Sequence, residues 1–198
     1  MSDFTIHTQS SAPQASREAL AALERNIGFI PNLAATIGDS PAALSGFVAM
    51  QSAMRGASRL TGVEREAVGL TVSYANRSTY SMAAHSTFAY GAGASMHVVE
   101  ALRSGGALPD ARLQALTVFA KELLETGGHV PEDRVAAFLD AGFTRENVLE
   151  VITQVAYTTM ANLVANVADT PVDPAFEPQA WTAPASSSSA ARRVTVAT

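Results

Sequence analysis

The sequence contains no cysteine. That absence excludes a disulfide framework, a thiolate metal site and a thiol nucleophile from the chain as written. Charge is scarce as well: Asp, Glu, Lys and Arg make up 16% of the residues, against roughly 25% in an average soluble protein. With 47% hydrophobic residues in 198, so little charge leaves much surface uncovered and points to contacts buried between subunits. Basic patches are missing too. A formal charge of -5 and a pI near 5.3, with no lysine- or arginine-rich stripe, argue against nucleic acid as a partner. No apolar run approaches the ~20 residues of a membrane helix, and residues 1–16 lack the charged start and apolar middle of a secretory signal. A cytoplasmic protein without a membrane partner is expected. The four histidines stand at no metal-ligand spacing, so no metal set is read.

What is present is helical periodicity. One domain is expected over 17–182, between a flexible N-terminal segment, 1–16, and a low-complexity tail, 183–198, that contains SSSS. Ser40 and Pro41 open a helix whose Leu44, Phe47, Val48, Gln51 and Met54 share a face. Thr61 and Glu64 form a capping-box pattern for a helix through about Ala75. Further helices are read from Ser95 to Gly105, from Pro109 to Gly127, from Pro131 to Ala141 and from Thr144 to about Asp169, where Pro171 ends the last. No stretch alternates as a strand, and the fold class is all-α.

The chemistry concentrates in Asn76–His85, NRSTYSMAAH. A helix starting near Ser78 or Thr79 places Ser78, Ser81 and His85 at i, i+3 and i+7, on one face. Ser78 then lies in the first turn, where free backbone N–H groups favour negative charge. A sulfur there would gain a depressed pKa, but an alcohol stays protonated and needs a base before it attacks. The bland readings are an N-cap for Ser78, a half-buried ring for His85 and packing for Tyr80, with contact to a substrate as Tyr80's second possibility. Glu64 and Glu66 stand on different faces of their helix, and nothing local separates them.

With cysteine at 78 and 81 the run would read N-x-C-x-Y-C-x-x-x-H, which resembles the redox motif of the alkylhydroperoxidase D and carboxymuconolactone decarboxylase superfamily. Glu66, twelve residues before Ser78, matches the family's proton-relay glutamate. FIPNLAATIGDSPAALSGF from Phe29 is similar to the family's opening segment and NVADTPVDPAF from Asn166 to its closing one. The resemblance implies an alkylhydroperoxidase-like helical bundle, a homo-oligomer (trimer or hexamer) and no metal or organic cofactor. It also implies a hydroperoxide or other small-molecule substrate and a dithiol protein as reductant. By the same resemblance Ser81 stands where the peroxidatic sulfur would be, Ser78 where the resolving sulfur would be, and Glu66 and His85 form the proton relay. Hydroxyls cannot run from thiolate to sulfenic acid to disulfide, so the chain as written is expected to be inactive as a peroxidase. Two histories fit the serines: substitution of working cysteines, and natural loss of the thiols on a retained scaffold.

Three other readings use the same residues. A hydrolase would take Ser81 as nucleophile, His85 as base and Glu66 as its orienter, but neither a nucleophile elbow nor a glycine-built oxyanion hole is visible. A decarboxylase would use Glu66 and His85 without thiols and needs a cation for the substrate carboxylate, with Arg55, Arg59 and Arg77 as candidates. A non-catalytic oligomer would keep only a cavity for a small apolar ligand.

Overall fold

The computed structural model describes residues 4–185, and among them every regular element is helical. The order is α1 (Gln14–Ile27), α2 (Asn32–Ile37), α3 (Pro41–Gly56), α4 (Gly62–Ala75), α5 (Thr79–Gly91), α6 (Met96–Arg103), α7 (Ala111–Thr126), α8 (Glu132–Asp140) and α9 (Arg145–Ala168), followed by a short 3₁₀ turn, Glu177–Gln179. The capping signals act as the sequence suggests. The Ser40, Ser95 and Asp110 side chains each accept from the backbone N–H three residues on, and Thr61 with Glu64 and Thr144 with Asn147 close reciprocal boxes. The helix read from Pro109 starts at Ala111, because Asp110 is its cap.

Helix α4 is the centre of the molecule and packs against α5, α6, α7 and α9. Its Val68, Leu70 and Val72 have no exposed surface, and burying each contributes about 1.5–3 kcal/mol relative to exposure. One apolar cluster joins α1, α2, α3, α5 and α9, a second α3, α4, α7, α8 and α9, and a third α4, α5 and α6.

The N-terminal segment expected to be loose is anchored at a few points in its described part, while Phe4, Ile6 and residues 8–11 are exposed. Ala12 is buried, His7 Nε2 meets Asp39 Oδ1 at 2.8 Å, and α1 already starts at Gln14, with buried Ser16 donating to the Gly38 carbonyl at 2.8 Å. From residue 186 on, the low-complexity tail lies outside the described residues.

Contrary to the expectation that no apolar run is long enough, α9 is by length and composition alone long and apolar enough to cross a membrane, because its apolar residues are interspersed with uncharged polar ones. Its inner face is core nevertheless: Val151, Gln154, Thr158, Ala161 and Asn162 are buried against neighbouring helices. Its outer face carries an apolar stripe, with Leu149 66%, Leu163 56% and Val167 65% exposed.

Candidate functional site

The site is built at the junction of α4 and α5. Helix α4 ends in a Schellman pattern: the Ser78 N–H donates to the Ser73 carbonyl at 3.0 Å and the Arg77 N–H to the Tyr74 carbonyl at 3.1 Å. Arg77 occupies the left-handed position, φ 55°, that glycine usually fills, at a cost of about 1–2 kcal/mol. The sharp turn lays α5 back along α4, so that residues from both helices face one another.

Across that seam His85 Nδ1 lies 2.7 Å from Glu66 Oε2. A carboxylate accepts only, so the contact places the proton on Nδ1 and leaves Nε2, which has no hydrogen bond to the described protein, to act toward a ligand. The ring fits because residue 69 is glycine: a Cβ there would lie 2.5 Å from His85 Nδ1 and 2.7 Å from Cε1. Nothing in the sequence analysis selects Gly69, although an isolated glycine inside a helical pattern is itself a signal of close approach.

Glu64 belongs to a different structure. It closes the capping box with Thr61 and accepts from Arg112 Nε at 2.7 Å. Burial alone would raise its carboxyl, but the Thr61 and Arg112 hydrogen bonds outweigh burial and hold it below the usual range. Glu64 is thus the cap that its spacing to Thr61 suggests, and Glu66, which only the spacing to Ser78 singles out in the sequence, is the histidine partner.

Ser78 is the N-cap residue of α5 by position but makes no side-chain cap. Its hydroxyl and that of Ser81 are both buried without a hydrogen-bond partner in the described protein. A buried unsatisfied hydroxyl costs about 1–3 kcal/mol, whereas a thiol, a weak donor, rests there at far lower cost.

Ser81 and His85 line an apolar cavity of about 50 Å³, walled by Phe47, Phe88, Phe176 and Tyr157. Ser78 is fully buried and does not line it. The ring of Tyr80 forms part of the wall, but its hydroxyl donates to Asp173 Oδ2 at 2.6 Å and accepts from the Leu33 N–H at 3.3 Å. Burial and the Asp173 carboxylate push this phenol far up, so any contact from Tyr80 to a ligand is through the ring. Asp173, within the closing segment recognised in the sequence, also accepts from the Asn32 N–H at 3.0 Å and so ties the segment after α9 to the start of α2.

A smaller cavity of about 30 Å³ adjoins the first and shares Gln51, His85, Phe88 and Tyr157 with it, adding Arg55, Arg65 and Glu66. Between the two, Gln51 Nε2 donates to the Tyr157 hydroxyl at 3.0 Å. Gln51 is a polar residue on the apolar face of α3, a misfit legible in the sequence, whereas Tyr157 carries no such signal. Of the arginines considered for a substrate carboxylate, Arg55 reaches the site; Arg77 donates to the Pro184 carbonyl and Arg59 lies near Glu146. Among the described residues no three His, Asp or Glu converge as metal ligands.

Residues 41–121 match the carboxymuconolactone decarboxylase family. No curated protein matches the chain. Among solved structures, a peroxidase-related protein with an alkylhydroperoxidase AhpD core from Ralstonia eutropha JMP134 superposes with a TM-score of 0.79 at 23% identity, over 88% of this chain and 94% of that one. A peroxidase-related protein from Silicibacter sp. TM1040 gives 0.76 at 20% identity, over 89% and 93%. The debrominase Bmp8 in complex with 2,3,4-tribromopyrrole gives 0.75 at 18% identity, over 90% and 96%. The turn between α4 and α5 lies inside the residues that match the carboxymuconolactone decarboxylase family, and the chain has the all-α fold of the alkylhydroperoxidase AhpD core.

Proposed function

We propose that the cavity beside Ser81 is the substrate site of a two-thiol reductive enzyme, a peroxide reductase in its cysteine-containing form, and that the present chain is its silent counterpart. The observation that carries this reading is the pair of buried, unpartnered hydroxyls of Ser78 and Ser81 next to the Glu66–His85 contact. In the cysteine form the sulfur at 81, which faces the cavity, attacks the distal oxygen of a hydroperoxide. The O–O bond breaks, the alcohol leaves with a proton relayed through His85, and the sulfur becomes a sulfenic acid. The sulfur at 78, buried behind it, displaces water to give the disulfide, which a dithiol protein reduces. A reducing cytoplasm suits that cycle.

The test is to restore both sulfurs. The Ser78→Cys, Ser81→Cys chain should consume hydroperoxide with a dithiol donor, and each single cysteine variant should turn over at most once. A double variant that forms its disulfide with oxidant yet never consumes peroxide overturns the reading. A second electron acceptor is worth the same assay, because the aromatic walls suit a flat ring and a structural neighbour is a debrominase: 2,3,4-tribromopyrrole, with bromide release as the readout. The same proposal includes a homo-oligomer, supported by the exposed apolar stripe of α9.

A further inference from the structure

The polar mouth of the cavity is unexplained by peroxide chemistry. Gln51 donates to the Tyr157 oxygen, and no acceptor among the described residues takes the Tyr157 proton. Burial, aided by the nearby Glu66, pushes this phenol well above its usual range, against the smaller opposing effects of the Gln51 hydrogen bond and Arg55. It therefore stays a neutral donor with its hydrogen uncommitted. Arg55 lines the same mouth and makes no ion pair or hydrogen bond among the described residues. The other charges there are accounted for: Glu66 is held by His85, and Arg65 donates to the Leu60 carbonyl. A surplus of positive charge and a free donor thus face a cavity whose inner part is apolar.

We propose that Tyr157 and Arg55 form a subsite for the carboxylate of a small organic acid, whose apolar body lies in the inner cavity beside Ser81. The Gln51 amide is the positioning group, fixing the Tyr157 hydroxyl so that its proton points away from α3. The proposal rests on reading this cavity as the substrate site and supplies its substrate class: a short carboxylic acid, or its hydroperoxide, rather than a neutral peroxide. The shared wall places the carboxylate within the surroundings of His85, so an acid bound there also orients its body relative to residue 81.

The experiment uses the serine chain and reads binding without turnover, by ligand-observed NMR with pentanoate and its neutral twin 1-pentanol. Pentanoate should bind at least about tenfold more tightly than 1-pentanol at low salt, the scale of one charge-assisted hydrogen bond. Arg55→Gln should remove most of that preference while leaving 1-pentanol binding unchanged, and Tyr157→Phe should weaken pentanoate. Arg59→Gln, a change at an exposed arginine outside both cavities, should do neither. Equal affinity for acid and alcohol, absence of pentanoate binding in the millimolar range, or an equal effect of Arg55→Gln and Arg59→Gln each overturn the proposal. Failure here leaves the cysteine-restoration test standing. Conversely, a restored dithiol that is silent toward peroxide but sits beside an Arg55-dependent pentanoate site removes the redox reading and keeps the acid site.

Discussion

Gly69 sits on the α4 face that meets the His85 ring, at a point where even one carbon would collide with the imidazole. A glycine inside a helix costs about 1 kcal/mol relative to alanine, so Gly69→Ala should stabilise the chain if helix propensity alone decided. The contact reverses the sign. Gly69→Ala should destabilise by about 1–3 kcal/mol, the usual cost of overpacking, whereas in a His85→Ala background the same substitution should become stabilising by about 0.5–1 kcal/mol. Urea denaturation of the four proteins checks this, and a loss of equal size in both backgrounds refutes the contact. At this scale the sequence showed the spacing of Glu66, Ser78, Ser81 and His85, because one helix and its neighbour fix those positions by register. Residue chemistry alone did not separate Glu66 from Glu64 as the partner of the histidine, which only the spacing to Ser78 did, and nothing showed that the Tyr80 hydroxyl is taken by Asp173, since that pairing depends on how separate elements pack.

At the scale of elements, the N-terminus of α4 is tied to α7 through Glu64 and Arg112, whose guanidinium also lies 3.7 Å over the Phe143 ring. Because the folded state holds the Glu64 carboxyl below its ordinary value, the unfolded chain binds its proton more readily. This stabilisation is complete above the unfolded value of about 4.3 and is lost as pH falls through the lower folded value. Stability measured by denaturant should therefore decline below about pH 4.3, and Glu64→Gln should lower it at neutral pH while flattening that acid slope. An unchanged slope would deny the pairing. The helices legible in the sequence are mainly those with a Ser, Thr or Asp cap, such as α3, α4 and α9. Helices α1 and α2 follow Pro13 and Pro31, with neither a capping side chain nor an acidic first turn, and so escaped delineation; the loose reading of the N-terminal segment follows from the same lack of local signal.

For the whole molecule, the low charge content read from composition finds a physical counterpart in α9. Leu149, Ile152, Leu163 and Val167 lie exposed along the same outer face, and the proposed homo-oligomer would cover them. Sedimentation should give a species larger than the 20.6 kDa protomer, and Leu163→Lys should shift it toward the protomer without loss of helical content. A wild-type chain that sediments as a protomer at all concentrations rules the assembly out. Composition carried this expectation, but only the folded helix shows where the apolar surplus is displayed.

Among the described residues the bond network of Asp173 joins the parts of the chain furthest apart in sequence. It gathers a residue near the start of the domain, Asn32, and one from the site helix, Tyr80, around a carboxylate downstream of α9, and three residues later Phe176 closes one wall of the cavity. A chain shortened just before that carboxylate would keep all nine described helices and every position of the matched family pattern. It would nonetheless be a roofless version of the same protein, with the Tyr80 phenol stripped of its acceptor and the inner chamber open to solvent.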